Sequence, residues 1–188
     1  PSGLQSVVFS LSNIIIQSSV NSFGTNSVAA WTAYGKIDAV FWMTINAFGI
    51  SITTFVGQNF GAQKFDRVKK SVRICWWMAL GASLAISGVI LLFGQYILRL
   101  FTSDADVVQI GMEIIRQLVP LYFTYVCIEV FSGACRGAGD SLIPMIMTAL
   151  GVCVLRVAWI FIAVPISPLL STALMSYPIT WATTSVLF

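Results

Sequence analysis

The sequence predicts an all-α integral membrane protein, folded as a single six-helix transmembrane unit over residues 1–188. Three observations carry that expectation. Of the 188 residues, 57% are hydrophobic and only 9% charged, with a mean hydropathy of +0.89; a soluble domain carries about 25% charged residues. Apolar runs recur at the length needed to cross a hydrocarbon layer about 30 Å thick, roughly 20 residues at 1.5 Å each. The basic residues gather in alternate loops, the asymmetry that orients multi-pass proteins.

The first run, Leu4–Val20, is marked by polar side chains rather than charges. Ser6, Ser10, Asn13 and Gln17, extended by Ser2 and Asn21, fall within roughly one 100° arc of a helix. Inside a bilayer such a face meets protein or water. It is therefore either an interhelical hydrogen-bonding seam or a wall of a hydrated cavity. After a short turn at residues 22–26, the second run, Val28–Val56, exceeds a simple span. Counting back about 20 residues from Val56 puts Lys36 at the far interface and Asp38 just inside it. Asn46 lies deeper and presents the same choice between seam and cavity wall.

The third run, Val72–Leu98, carries Gly81, Ala85 and Gly88 at spacings that predict close packing of two helices. Trp76 and Trp77 at its start fit an interfacial belt or lipid-facing bulk. Residues 102–106 offer helix-start side chains, with Ser103 and Asp106 spaced as a capping box. The fourth run, Gln117–Cys135, contains Pro120 and the sixth, Leu169–Phe188, contains Pro178; both are candidate kinks. Between them, Leu142–Val164 is stopped by Pro165-Ile166-Ser167-Pro168. RGAGDSLIPM, Arg136 to Met145, reads as a tight turn. Gly137 and Gly139 close one helix, Asp140 or Ser141 caps the next, and Pro144 fits its first turn.

The loop after the second run holds Lys64, Arg67, Lys69, Lys70 and Arg73, and the loop after the fourth holds Arg136. Lys36, Arg99 and Arg116 lie on the other side. Six against three makes the first side cytoplasmic, with both ends of the chain there. With no His, imidazole metal sites and His-based acid–base catalysis are excluded. Cys75, Cys127, Cys135 and Cys153 sit in or beside apolar runs without a CxxC pair, which predicts packing rather than disulfide or metal chemistry. A net charge of +3 is too small and scattered for a nucleic-acid partner. The sequence starts at Pro1 with no signal-peptide pattern behind it, and so reads as a piece of a longer chain.

VGQNFGA (Val56–Ala62), followed by a basic amphipathic stretch and a further run, is similar to one signature of the multidrug and toxic compound extrusion (MATE) family. Gly57, Gln58 and Gly61 are its matching positions. RGAGDSLIPM is similar to a second signature, the RGxGD[ST]xxPM loop, matched by Arg136, Gly137, Gly139 and Asp140. Two runs precede the first motif, two separate the motifs and two follow, so the resemblance covers the whole chain. It implies one lobe of a transporter whose two six-helix lobes rock about a central cavity. Such proteins exchange Na⁺ or H⁺ for cationic or amphiphilic compounds. The second-lobe position is implied, because first-lobe members often carry a working carboxylate in their first helix and Leu4–Val20 has none. The resemblance further implies a plasma membrane, bacterial inner membrane included, and a second lobe as partner. No cofactor beyond the coupling ion is expected.

Ionisable groups at the bilayer centre cost roughly 2.5–3.5 kcal/mol or more, which singles out Glu129 and Arg156. Glu129 shares a helix face with Tyr122, Tyr125 and Ser132. A carboxylate framed by phenols suits H⁺, Na⁺ or a cationic drug, with cation–π attraction of about 0.5–2 kcal/mol; alternatively it pairs with Arg136 or hydrogen-bonds as a neutral acid in a packed core. In the family alignment of the loops, the acidic residue of other members falls nearer Tyr125. Arg156, about 12 Å further along the axis, is expected to snorkel outward or bind carbonyls rather than reach Glu129. The candidate pathway is thus Glu129, Tyr125 and Tyr122 with Asn13, Gln17 and Asn46. A lipid-linked oligosaccharide flippase of the same superfamily is the alternative, although its cavity needs several cations. A transport-inert half is the expectation for these residues in isolation. An enzyme is not expected, since one deep carboxylate without His makes no catalytic cluster.

Overall fold

The structure is a computed structural model that describes residues 2–188, with the side chains of 2, 4–6 and 8 set aside. The Ser2 and Ser6 side chains of the polar stripe thus lie outside the described residues. Among those described, every regular element is helical. α1 spans Ser2–Asn21, α2 Thr25–Gly61 and α3 Phe65–Arg99. α4 (Ala105–Leu118) passes through a 3₁₀ turn, Val119–Leu121, into α5 (Phe123–Gly137). α6 is Leu142–Ile166, with a π-helical segment at Ala149–Val154. α7 (Leu170–Leu174) and α8 (Ser176–Leu187) follow.

Among the described residues, α2, α3 and α6 are long and apolar enough to cross a membrane, and α4–α5 makes a fourth span if the bent pair is one. The sixth run is divided at Met175 into pieces of 5 and 12 residues, each shorter than a span. Pro120 gives no N–H and crowds the preceding turn, and the helix axes diverge by 51° across that break. Pro178 behaves differently. It sits in the first turn of α8, where proline is tolerated, and the break falls before it.

α2 is the central rod, packed against α3, α4 and α5. Its buried residues Tyr34, Ile37, Phe41, Ile45, Ile52 and Val56 recur at helical spacing on one face. Tyr122 stacks on Phe41 with ring centroids 4.0 Å apart, at the bend between α4 and α5. Large apolar side chains also point outward, Met43 on α2 and Leu92 on α3 among them, as helices facing hydrocarbon require. At the start of α4 the cap is Asp104 rather than Ser103. Its carboxylate accepts the N–H groups of Asp106 at 2.9 Å and Val107 at 3.4 Å, the second and third donors of the helix.

The two signature loops end their helices in the same way. In RGAGD, Gly139 has φ +97°, Asp140 N–H donates to the Cys135 carbonyl at 3.0 Å, and Gly139 N–H donates to that of Arg136 at 3.1 Å. This is the paired bonding of a Schellman cap. Asp140, not Ser141, then caps α6 by accepting from Leu142 N–H at 3.0 Å and Ile143 N–H at 3.1 Å. In VGQNFGA, Lys64 N–H donates to Asn59 at 2.8 Å and Gln63 N–H to Phe60 at 3.0 Å. Here the left-handed residue is Gln63, at φ +58°, and not Gly61. The Gln58 carbonyl accepts from Ala62 N–H at 3.2 Å.

Glycine also lets α2 and α5 approach closely. Gly49, Thr53 and Gly57 face Glu129, Gly133 and Gly137, each series spaced by four. A Cβ on Gly133 would stand 2.8 Å from the Gly49 carbonyl oxygen, and one on Gly137 2.5 Å from that of Thr53. The Thr53 hydroxyl donates to the Gly133 carbonyl at 3.0 Å. The two motifs meet at Gly57 and Gly137, where a Cβ on Gly57 would lie 3.3 Å from the Gly137 carbonyl oxygen. The stripe expected to pack closely, Gly81, Ala85 and Gly88, does not. Nothing lies within 4 Å of a Cβ at Gly81 or Gly88, and Ala85 is exposed. Spacing places residues on one face without saying which face meets a neighbour.

Candidate functional site

Four polar or aromatic residues of α2 stand one turn apart: Tyr34, Asp38, Trp42 and Asn46. At that spacing they share a face, and they line a cavity of about 510 Å³ bounded by α1, α2, α4, α5, α6 and α8. α1 contributes Asn13 and Gln17, α5 contributes Tyr125, α6 contributes Arg156, and α8 contributes Tyr177 and Trp181. A hollow of about 730 Å³ near Gln95, Arg99, Glu113 and Arg116 is larger. It is built from the end of α3, the following loop and α4, whereas the smaller cavity is lined by both a carboxylate, Asp38, and a guanidinium, Arg156.

Asp38 is the hub of the hydrogen bonding. Trp42 Nε1 donates to its Oδ2 at 2.6 Å, and Tyr34 donates to Oδ1 at 3.3 Å. Tyr122 donates to the same Oδ1, and the Tyr34 and Tyr122 hydroxyls lie 2.8 Å apart. Two phenols and an indole thus satisfy one partly buried carboxylate, which is the condition for keeping a charge between apolar helices. The rings continue around the cavity. Trp42 meets Tyr125 at 4.7 Å and Trp181 at 5.9 Å, Trp181 meets Tyr177 at 5.6 Å, and Tyr177 meets Trp31 at 5.8 Å.

Arg156 does not snorkel. It is 3% exposed, its guanidinium lies 4.1 Å from the Tyr177 ring centroid, and its Nη2 donates to the Thr180 hydroxyl at 3.2 Å. Nor is it paired with Glu129, whose Oε1 is 3.3 Å from Arg136 Nη2 and whose Oε2 accepts from Tyr125 at 3.4 Å. Gly49 makes room for that carboxylate, since a Cβ there would fall 2.1 Å from Oε1.

Of the expected pathway residues, Asn13, Gln17, Asn46 and Tyr125 therefore come together at the cavity. Gln17 also donates to Asn21 at 2.9 Å along its own helix. Tyr122 stands behind the cavity wall and acts on it through Asp38. Glu129 is held at Arg136, beside the α2–α5 seam. Sequence reasoning sets Asp38 at the interface rather than in the site and misses Trp42, Tyr177 and Trp181, although the four-residue series along α2 marks the same kind of face as the stripe on α1.

The profile of the MatE family matches residues 1–162. The chain is 27% identical over 150 residues to the probable multidrug resistance protein YoeA of Bacillus subtilis, covering 79% of this chain and 32% of that protein. It is 29% identical over 157 residues to the probable multidrug resistance protein YpnP of the same organism, covering 83% and 35%. It thus spans about a third of the length of these curated relatives. Its fold superimposes with a TM-score of 0.90 on an outward-facing multidrug resistance MATE family transporter of the MOP superfamily. That match has 20% identity and covers 100% of this chain and 42% of the other.

Proposed function

The chain belongs to the MatE family, whose members are multi-pass membrane transporters and not enzymes, and from that premise we propose that it forms one lobe, the second, of a two-lobe efflux antiporter. The antiporter exports cationic or amphiphilic compounds across a bacterial plasma membrane in exchange for Na⁺ or H⁺. Both ends of this segment are cytoplasmic, and a second six-helix lobe completes the central cavity. Alternating access through paired repeats places the ion and substrate sites near the repeat interface.

The observation that carries the reading is Asp38, a carboxylate that lines the cavity and is held there by a built network of donors. A cation or proton arriving at Asp38 competes with Tyr122, Tyr34 and Trp42 for its oxygens. Tyr122 sits at the bend between α4 and α5. Loosening its hold on α2 frees the bend, and that links ion occupancy to the shape of the lobe. Glu129 serves this lobe differently, as the partner that ties Arg136 and its loop to the seam. The flippase reading is weaker, because a pyrophosphate needs several cations and this cavity has Arg156 alone among the described residues.

The test uses the whole transporter in proteoliposomes, with ethidium transport driven by an imposed Na⁺ or pH gradient. Asp38→Asn should abolish gradient-driven transport while the protein still inserts and stays monodisperse, and Glu129→Gln should retain it. Driven transport that survives Asp38→Asn would move the coupling to another carboxylate.

A further inference from the structure

A groove of about 590 Å³ runs between α2 and α3 and shares no lining residue with the cavity. Its α2 wall lies about 15–25 Å along the helix axis from Asp38 and includes Phe48 and Phe55. Its α3 wall is Arg67, Lys70, Ser71, Ile74, Cys75 and Met78, which fall on one face at helical spacing. The Cys75 thiol reaches the Phe48 carbonyl at 3.9 Å, so on these antiparallel helices Phe55 stands level with the first turns of α3. The charge is all at that end. The stretch from Lys64 to Arg73 holds five cations and one acid, Asp66. Among the described residues neither Arg67 nor Lys70 forms an ion pair. Past Lys70 the walls turn apolar, and Phe55, Ile74 and Met78 are each about half exposed. The Ser51 and Ser71 hydroxyls donate to the Ala47 and Val68 carbonyls of their own helices, at 2.7 and 2.8 Å. The groove thus offers two cations at its mouth and no free hydroxyl proton along its length.

We propose that this groove holds an anionic phospholipid, with its phosphate between Arg67 and Lys70 and one acyl chain along Phe48, Phe55, Ile74 and Met78. α2 and α3 are long and apolar enough to cross a membrane. The two cations precede the apolar run that starts at Val72, the level at which headgroups lie. Lys70 to Met78 covers about 12 Å of helix, close to one leaflet's hydrocarbon depth of about 15 Å. An acyl chain asks nothing of the walls but contact, whereas a peptide would bring backbone groups that find no partner there. A zwitterionic headgroup carries its own ammonium toward the cations and loses much of the attraction. The inference needs only a membrane around α2 and α3, and so stands or falls apart from ion-coupled efflux.

The experiment is native mass spectrometry of the whole transporter, stripped of lipid and titrated in detergent with dioleoyl phosphatidylglycerol or dioleoyl phosphatidylcholine. The first phosphatidylglycerol should bind about tenfold more tightly or better, the scale of two cations at a membrane surface. Arg67→Gln with Lys70→Gln should bring the two lipids within about threefold of each other. Lys64→Gln with Lys69→Gln removes the same charge outside the groove and should leave the preference standing. An equal loss in both pairs overturns the inference, because diffuse attraction to the basic stretch then suffices. So does an unaltered protein that binds both lipids alike, as it would with the groove covered by the other lobe or by a second copy. Displacement of the lipid by glycerol 3-phosphate overturns it too, since the site would then take a free phosphate. On the unaltered protein, phosphatidylglycerol with a photoreactive group in its acyl chain should label Phe48, Phe55, Ile74 or Met78. Labelling that avoids all four contradicts the inference even where the Gln variants fail to fold.

Discussion

Asp38 and Glu129 are both carboxylates on membrane helices, and their neighbours divide them. Asp38 accepts only from neutral donors, two phenols and an indole, so no fixed cation is bonded to its oxygens. Glu129 has Arg136 at 3.3 Å and a side chain only 14% exposed. Glu129→Gln should therefore lower thermal stability in detergent by about 1–3 kcal/mol, the cost of a lost charged hydrogen bond in a half-buried setting. It should leave the ion dependence of transport in place. A stable Glu129→Gln protein that has lost coupling would reverse the two assignments. The sequence makes Glu129 visible because it stands amid an apolar run, and Arg136 seven residues on is legible as a partner. Asp38 is hidden by the method of counting. Measuring one span back from Val56 fixes the interface only if the helix is as long as the membrane is thick, and α2 runs for 37 residues.

At the scale of elements, the α2–α5 seam and the helix caps carry the most easily tested claims. Gly137→Ala drives a Cβ to 2.5 Å from a backbone oxygen of α2. It should destabilise the protein by about 1–3 kcal/mol, as overpacking does. Gly81→Ala meets nothing within 4 Å and should be neutral or slightly stabilising, since alanine favours the helix by up to about 1 kcal/mol. Thermal unfolding of the two variants side by side separates a packed glycine from an unpacked one. Gly139→Val should reduce folded yield more than it alters substrate preference, because a β-branched residue resists the left-handed backbone at φ +97°. A well-folded Gly139→Val protein with altered substrate range would show that the loop touches substrate. The turn chemistry of RGAGD is readable from its residues alone. The cap in VGQNFGA is not, because Gln63 adopts a conformation that glycine usually takes, and Gly61 two residues earlier draws the eye. Likewise Gly49, Gly57, Gly133 and Gly137 are visible as letters, but their pairing across two helices needs the third dimension.

For the whole molecule, the basic loops predict orientation, and a cysteine placed at exposed Lys69 should be shielded from an impermeant thiol reagent in intact cells. One at Ser103, beside the Asp104 cap and exposed, should react. The background must lack the four free cysteines, Cys75, Cys127, Cys135 and Cys153. The opposite labelling would invert the topology. The helical class and the order of the runs follow from composition and hydropathy, which act along the chain. The cavity follows from packing between runs distant in sequence, so only its polar faces are legible beforehand. The claim that joins the residue to the molecule is that Asp38 exchanges its ion when substrate binds. Ion release is therefore the direct measurement, by a pH-sensitive dye or a Na⁺ electrode in weakly buffered detergent solution as ethidium is added to the whole transporter. The unaltered protein and Glu129→Gln should release H⁺ or Na⁺ in proportion to bound substrate, and Asp38→Asn should bind ethidium and release none. Release that persists in Asp38→Asn, or that vanishes in Glu129→Gln, would contradict the account.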